Sequence, residues 1–211
     1  MRGSPPRIPW SAIVEHAGTV ACLVLFAAVA GRVGPLLVRE HDWPGLVAAG
    51  LAAYVAADLV SGAVHWFCDR FGTERTPVIG PSVIEPFREH HRDPLAITRR
   101  GFVAVNASNL LAVLPVLALA GLGEPSLGHA FLLVFALAVG LTNQLHKWAH
   151  APRVPRAVAW LHRTRLIMPP DHHARHHRGE THAFCVTSGW CNPLLDRLGV
   201  FARLERRIRR A

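Results

Sequence analysis

Residues 127–150 read LGHAFLLVFALAVGLTNQLHKWAH, an apolar run that closes on two histidines four residues apart, His146 and His150. A helix crosses the hydrocarbon core of a bilayer with about 20 apolar residues, and residues 127–148 supply them. Working outward, three more stretches have the same character: residues 17–38, 43–67 and 102–122. The first is interrupted by Gly31, Arg32, Gly34 and Pro35, the second opens at Pro44 and carries Asp58 and His65, and Gly121, Gly123, Glu124 and Pro125 turn the third into the fourth. Arg2 and Arg7 ahead of the first run resemble the start of a signal peptide, but no small-residue cleavage site follows, so a retained span is expected. The fold expected is an all-α integral membrane protein of about four transmembrane helices with a histidine-rich cap.

Composition agrees. The chain has 211 residues, 51% of them hydrophobic, and a mean hydropathy of +0.24, which is greasier than an average soluble domain. Its net charge is +9, carried by arginine with one lysine, Lys147. Basic residues beside apolar runs point to anionic lipid rather than to nucleic acid. Cys22, Cys68, Cys185 and Cys191 are scattered and give no disulfide framework or zinc-knuckle spacing.

Charge also sets an orientation. Arg70, Arg75, Arg88, Arg92, Arg99 and Arg100 lie between the second and third runs, and more than half of the basic residues follow the fourth. The other connections hold Arg39 beside Glu40 and Asp42, or no basic residue at all. The positive-inside tendency then puts both termini in the cytoplasm of a multi-pass cell-membrane protein. On that topology His65, His90, His91, His146, His150, His173, His176 and His177 all fall on the cytoplasmic side, whereas His16, His41 and His129 lie elsewhere.

Histidines three or four apart on a helix share a face, so His146 with His150, and His173 with His176 and His177, are arranged to grip an ion. Eight imidazoles exceed the three ligands of a typical catalytic zinc and suit two ions. A thiolate-poor, histidine-rich pair next to lipid fits iron and oxygen chemistry, although imidazole also suits copper and zinc. Asp69 is expected either to orient a histidine through its other ring nitrogen or to serve as a plain helix-end charge or surface salt bridge. Asn106 and Asn143 are expected either to hold a metal-bound water or ligand, or to hydrogen-bond between helices. Asp58, costly to bury alone, is expected to find a histidine or arginine partner or the interface. Arg88, Arg92, Arg99 and Arg100 are candidates for lipid phosphate. The Leu- and Arg-rich stretch 194–210 reads as an amphipathic helix on the anionic leaflet, and Trp160 with Leu161, Leu166 and Ile167 as a second surface segment. Two other classes fit less well: a haem carrier needs axial ligands facing each other across a bundle, and a zinc hydrolase of the common kind needs H-E-x-x-H, which the chain lacks.

Several stretches, taken together, resemble one family: Val64-His65-Trp66 with Asp69, Glu85-Pro86-Phe87-Arg88-Glu89-His90-His91, Ala96-Ile97-Thr98-Arg99, Thr142-Asn143-Gln144-Leu145-His146-Lys147-Trp148-Ala149-His150, and His172-His173-x-x-His176-His177 followed by Phe184-Cys185-Val186-Thr187-x-Gly189-Trp190-x-Asn192. They look like the plasmanylethanolamine desaturases, which include animal transmembrane protein 189 and the bacterial CarF proteins. More distantly they are similar to the plant plastid desaturase that acts on the palmitoyl chain of phosphatidylglycerol. The resemblance runs over residues 58–196. It implies a lipid desaturase domain, drawn here as residues 42–196 between an N-terminal arm and first helix (1–41) and a basic tail (197–211).

The resemblance also implies an oxidoreductase with a di-iron centre held by the same eight histidines, and His172 as a reserve ligand. The reaction implied is the conversion of a 1-O-alkyl-2-acyl-glycerophosphoethanolamine to the vinyl-ether plasmalogen with O2 and two electrons. Acyl-chain desaturation or hydroxylation of a phospholipid such as phosphatidylglycerol is the alternative. The electrons are expected from a ferredoxin or a cytochrome b5-like protein. Arg100-Gly101 and Thr181-His182-Ala183 depart from the family pattern and bear on the head group rather than on the metals.

Overall fold

In the computed structural model, residues 10–40, 43–179 and 181–210 are described. Arg2, Arg7, His41 and Asp42 lie outside them. Among the described residues every regular element is helical: α1 (Trp10–Glu40), α2 (Trp43–Arg70), a π-helical turn (Gly80–Ile84), α3 (Glu85–Arg92), α4 (Ala96–Arg99), α5 (Phe102–Ala112), α6 (Leu114–Ala120), α7 (Leu127–His150), α8 (Arg156–Arg163), α9 (Pro170–Gly179), α10 (Asn192–Arg197) and α11 (Val200–Ile208).

Helices α1, α2 and α7 are each long and apolar enough to span a membrane, and α5 with α6 makes a fourth candidate, bent by 53°. The bend follows from chemistry: Pro115, at the start of α6, brings no N–H to the helical ladder. The breaks expected in α1 do not occur. That helix continues through Gly31, Gly34 and Pro35. One face of α1 packs against its neighbours, Val29, Val33 and Leu37 meeting Leu110, Val113, Leu117 and Leu133, while Gly31 and Pro35 lie on its exposed side. Val20, Leu23, Val24, Leu51, Val55 and Leu59 point outward and are exposed, as a lipid-facing surface requires.

The most extensive helix pairing is α2 with α7, and their C-terminal ends meet, with the His65 and His146 rings 5.4 Å apart. Between them runs a non-helical segment, residues 183–188, whose residues are at most 2% exposed. Backbone buried without a helix needs side-chain partners, and α2 provides them. Asp58 accepts the N–H groups of Ser188 (2.8 Å), Gly189 (2.9 Å) and Cys191 (3.0 Å). Ser61 Oγ accepts from Val186 N at 3.0 Å, and the Asn192 amide clamps both backbone groups of Cys185. Asp58 therefore pairs with backbone amides, not with a histidine or an arginine. Gly62 lets the segment approach α2 closely: a Cβ there would collide with Cys185 Sγ.

Arg88 performs a related task at the end of α2. Its guanidinium donates to the carbonyls of Cys68, Phe71 and Gly72, the groups a helix end leaves without partners, and so ties α3 to α2. This occupies the side chain expected to face phosphate. Arg92 and Arg99 are likewise paired, with Glu74 and Asp93. The stretch expected as one amphipathic helix is two, α10 and α11, separated at Gly199, whose φ of 56° is left-handed.

Asp58→Asn should disrupt this arrangement while preserving side-chain shape. An amide presents an N–H₂ group to at least one of the three backbone donors, and the expected loss is on the order of 3 kcal/mol. Hydrogen exchange should quicken at Ser188, Gly189 and Cys191 before it quickens in α7; unchanged protection there would refute the role given to Asp58.

Candidate metal centre

Helical geometry explains how few elements build this site. Residues four apart lie on one face, whereas adjacent residues diverge by about 100°. His146 and His150 at the end of α7, and His173 and His177 on α9, are two such pairs aimed at one point. Their Nε2 atoms are separated by 2.9 Å (His146–His173), 3.2 Å (His146–His150), 2.8 Å (His150–His173), 3.2 Å (His150–His177) and 3.0 Å (His173–His177). His90 from α3 completes this first group.

The second group comprises His65, Asp69, His91 and His176. His65 and Asp69 are again four apart on α2, and the Asp69 carboxylate stands 3.3 Å from Nε2 of His65, His91 and His176. The adjacent histidines divide between the groups: His90 and His177 turn to the first, His91 and His176 to the second. His176 thus parts from His173 and His177, with which it was expected to share an ion.

All eight expected histidines are in one of the two groups. His172 is buried but belongs to neither. Asp69 is the addition: its oxygens stand among the donor atoms. The signal in the sequence was the His65–Asp69 spacing, identical to that of His146–His150.

Asn106 and Asn143 bind between helices. Asn106 Nδ2 donates to Phe102 O and Gln144 Oε1, and Asn143 Nδ2 to Val105 O and Asn109 Oδ1. These amide donors serve the helix-to-helix role, while Asn106 Oδ1 is buried without a hydrogen-bond partner among the described residues. His16 and His129 are engaged far from the centre, with Ala12 O and with Ser126 and Leu122 O.

The residues fit metal ions on three counts. First, His65 Nδ1 lies 3.0 Å from Phe184 O and His176 Nδ1 lies 2.8 Å from His182 O. A carbonyl only accepts, so each Nδ1 carries the proton and each Nε2 presents its lone pair to the centre. Second, His65 Nε2, His90 Nε2 and both Asp69 oxygens are buried without a hydrogen-bond partner among the described residues; orphaned acceptors on this scale are what cations satisfy. Third, two imidazole nitrogens bound at about 2.1 Å and 90° apart sit about 3.0 Å from one another, against about 3.4 Å for a tetrahedral pair. The separations of 2.8–3.2 Å among His146, His150, His173 and His177 are short enough for these donors to share one ion.

Electrostatics point the same way. Burial, then the crowding imidazoles, hold His90 and His173 well below the ordinary histidine range and bring His177 down to about 3. Their charged form is disfavoured, so near pH 7 these rings are neutral, the state in which imidazole binds metal.

A narrow cleft with a cavity volume of about 40 Å³ opens onto the first group. His90 and His146 line it; Val83, Pro86, Phe87, Ile97 and Val105 form apolar walls; Ser108 and Asn143 also line it. Glu89 and Arg100 flank it as an ion pair at 2.6 Å, and the Lys147 ammonium donates to the Arg100 carbonyl.

Comparison with known proteins agrees with this chemistry. A sequence profile of the lipid desaturase domain matches residues 54–211. A plasmanylethanolamine desaturase of Myxococcus xanthus is 44% identical over 170 residues, covering 77% of this chain and 60% of that protein. Plasmanylethanolamine desaturase 1 of Mus musculus is 37% identical over 183 residues (81% and 67%), and the chloroplastic fatty acid desaturase 4 of Arabidopsis thaliana 39% identical over 166 residues (74% and 50%). The chain thus spans between half and two thirds of the length of these relatives. No solved structure matches it. With its histidine groups inside the matched region, the chain belongs to the lipid desaturase domain family.

Proposed function

We propose that this protein is an O2-dependent lipid desaturase that converts a 1-O-alkyl-2-acyl-glycerophosphoethanolamine to its vinyl ether. The observation that carries the reading is the juxtaposition of two histidine-rich groups with an apolar cleft that reaches His90 and His146. His90, His146, His150, His173 and His177 would hold one iron ion, and His65, Asp69, His91 and His176 the other. A pair of iron ions supplied with O2 and two electrons provides an oxidant for unactivated C–H bonds. The chain's own residues do the rest.

The apolar walls take the alkyl chain and exclude water. Arg100, at the Glu89 pair, is the group on that wall that would exchange its carboxylate for the lipid phosphate. The C1–C2 bond of an ether lipid lies just beneath its head group, in keeping with a centre at the ends of α2 and α7 rather than at mid-membrane. His65 and His176, held through Nδ1 by backbone carbonyls, keep their orientation through turnover. The charge asymmetry of the sequence supports a cytoplasmic location for the centre and for both termini.

A second reading, desaturation of an acyl chain of a phospholipid such as phosphatidylglycerol, is favoured by the 39% identity to the plant fatty acid desaturase. The same ligands would serve it, and lipid analysis separates the two. In cells that lack plasmalogens and are fed 1-O-alkylglycerol, the chain should yield an acid-labile ether lipid two mass units lighter than its precursor. A new acyl double bond with unchanged ether lipids would select the second reading.

The purified protein should carry about two iron ions per chain, since two ligand groups are present, and His173→Ala with His177→Ala should remove most of the first-group iron and abolish product. One tightly held zinc and no iron would refute the assignment. Ser108→Phe, which fills the cleft without touching a ligand, should retain iron and lose at least tenfold in rate; full activity would exclude the cleft as the route of the lipid.

A further inference from the structure

Desaturation by O2 leaves an electron deficit. Forming the double bond releases two electrons and two protons, and reducing O2 to two waters takes four of each, so two electrons and two protons come from outside. The desaturase reading leaves open where those electrons enter.

One path of packed rings leads from beneath α11 to the centre. Phe201 of α11 lies 5.4 Å from Trp66 and 5.2 Å from Phe184, measured between ring centroids. Phe184 in turn lies 5.0 Å from His176 and 5.9 Å from His65, and its carbonyl accepts the His65 Nδ1 proton. Trp66, Phe184 and Phe201 are all buried and form their own cluster. Electron tunnelling decays steeply across gaps, and here the rings are in contact from α11 to two residues of the second group.

The outer end of this path is strongly basic. At 100° per residue, Phe201 and Glu205 face α2, where Glu205 binds Arg70 and Arg209. Arg203, Arg206 and Arg210 share the opposite side, and all three are exposed. Among the described residues no carboxylate pairs with them. Leu204 and Ile208, 41% and 52% exposed, form an apolar strip centred about 150° around the helix from those three arginines, with the exposed Arg207 between the two faces. A leaflet that covers the apolar flank therefore leaves the arginine face turned away from the lipid.

We propose that Arg203, Arg206 and Arg210 on α11 receive an acidic one-electron carrier protein, and that its electrons reach the centre through Phe201, Trp66 and Phe184. This rests on the desaturase reading. Each docked carrier is oxidised by one electron, and two carriers in succession supply the pair that one turnover takes. Opposite charge across the contact raises the encounter rate and makes it sensitive to salt.

The test uses the iron-loaded chain in phosphatidylcholine nanodiscs with a plant-type [2Fe–2S] ferredoxin as the carrier. Three measurements are made: ferredoxin binding by fluorescence anisotropy, reduction of the centre by ferredoxin in stopped flow, and reduction by dithionite, which requires no docking. Arg203→Glu with Arg206→Glu and Arg210→Glu should weaken binding at least tenfold, slow ferredoxin-driven reduction by a similar factor, and leave dithionite reduction unchanged. Phe201→Leu should keep the binding and iron content but slow ferredoxin-driven reduction severalfold.

Unchanged ferredoxin binding by the charge-reversed chain would overturn the docking face, including the case in which only anionic nanodiscs reveal a difference and the arginines serve the lipid surface. Unchanged reduction kinetics in Phe201→Leu would overturn the path. A wild-type centre that dithionite itself fails to reduce would remove the desaturase reading, and this inference with it.

Discussion

Donor atoms about 3 Å apart, with lone pairs turned inward, repel one another, and everything near the ends of α2 and α7 counteracts that repulsion. Eight imidazoles and a carboxylate are held with their donor atoms in two tight groups, an arrangement that would open if its supports were soft. The supports are rigid: long helices pair the ligands in steps of four residues, Arg88 ties α3 to the end of α2, and the segment 183–192 is fastened between α2 and α7. Even the ring orientations are imposed from outside the ligand set, since the carbonyls of Phe184, in that segment, and of His182, just before it, hold the protons of His65 and His176. Bound cations turn the repulsion into attraction, so metal binding and folding are coupled at this end of the molecule.

The segment 183–192 carries an unusual share of the architecture for ten residues without a regular fold until its end. Its backbone would be intolerable in an apolar setting but for Asp58, Ser61 and Asn192. The carboxylate of Asp58 is in turn tolerable because three N–H groups converge on it. Each offsets the cost of burying the other. The same segment contributes Phe184, which touches both the second histidine group and the aromatic cluster under α11.

Most of this was legible where periodicity carries the information. Apolar runs located α1, α2 and α7, and spacing located the histidines, because a four-residue step means one face whatever the tertiary context. What escaped depends on packing at a distance in sequence. Nothing local tells His176 to leave His173 and His177 for the other group; that follows from where α9 sits relative to α3. The same holds for Asp69, an acidic residue at a helix end until His91 and His176 arrive beside it, and for Arg88, whose carbonyl partners are 16 to 20 residues away. The kink at Val113 was visible in principle as Pro115, but α1 carries a proline without bending out of helix, so the residue alone does not decide.

The two groups differ in what reaches them, and this bears on how a desaturase of this plan would work. The apolar cleft is lined by His90 and His146, both of the first group. The aromatic cluster ends on His65 and His176, both of the second. A lipid in the cleft and an electron carrier at α11 would therefore approach from different sides, and neither would need to leave for the other to act. The carboxylate also belongs to the second group alone, so its ion would carry a compensating negative charge that the all-imidazole first group lacks. Anionic oxygen ligands favour the more oxidised state of a cation, whereas neutral imidazoles favour the more reduced one. The asymmetry of the ligands thus follows the asymmetry of access: the carboxylate stands in the group that the aromatic cluster reaches, and the all-imidazole group is the one that lines the cleft.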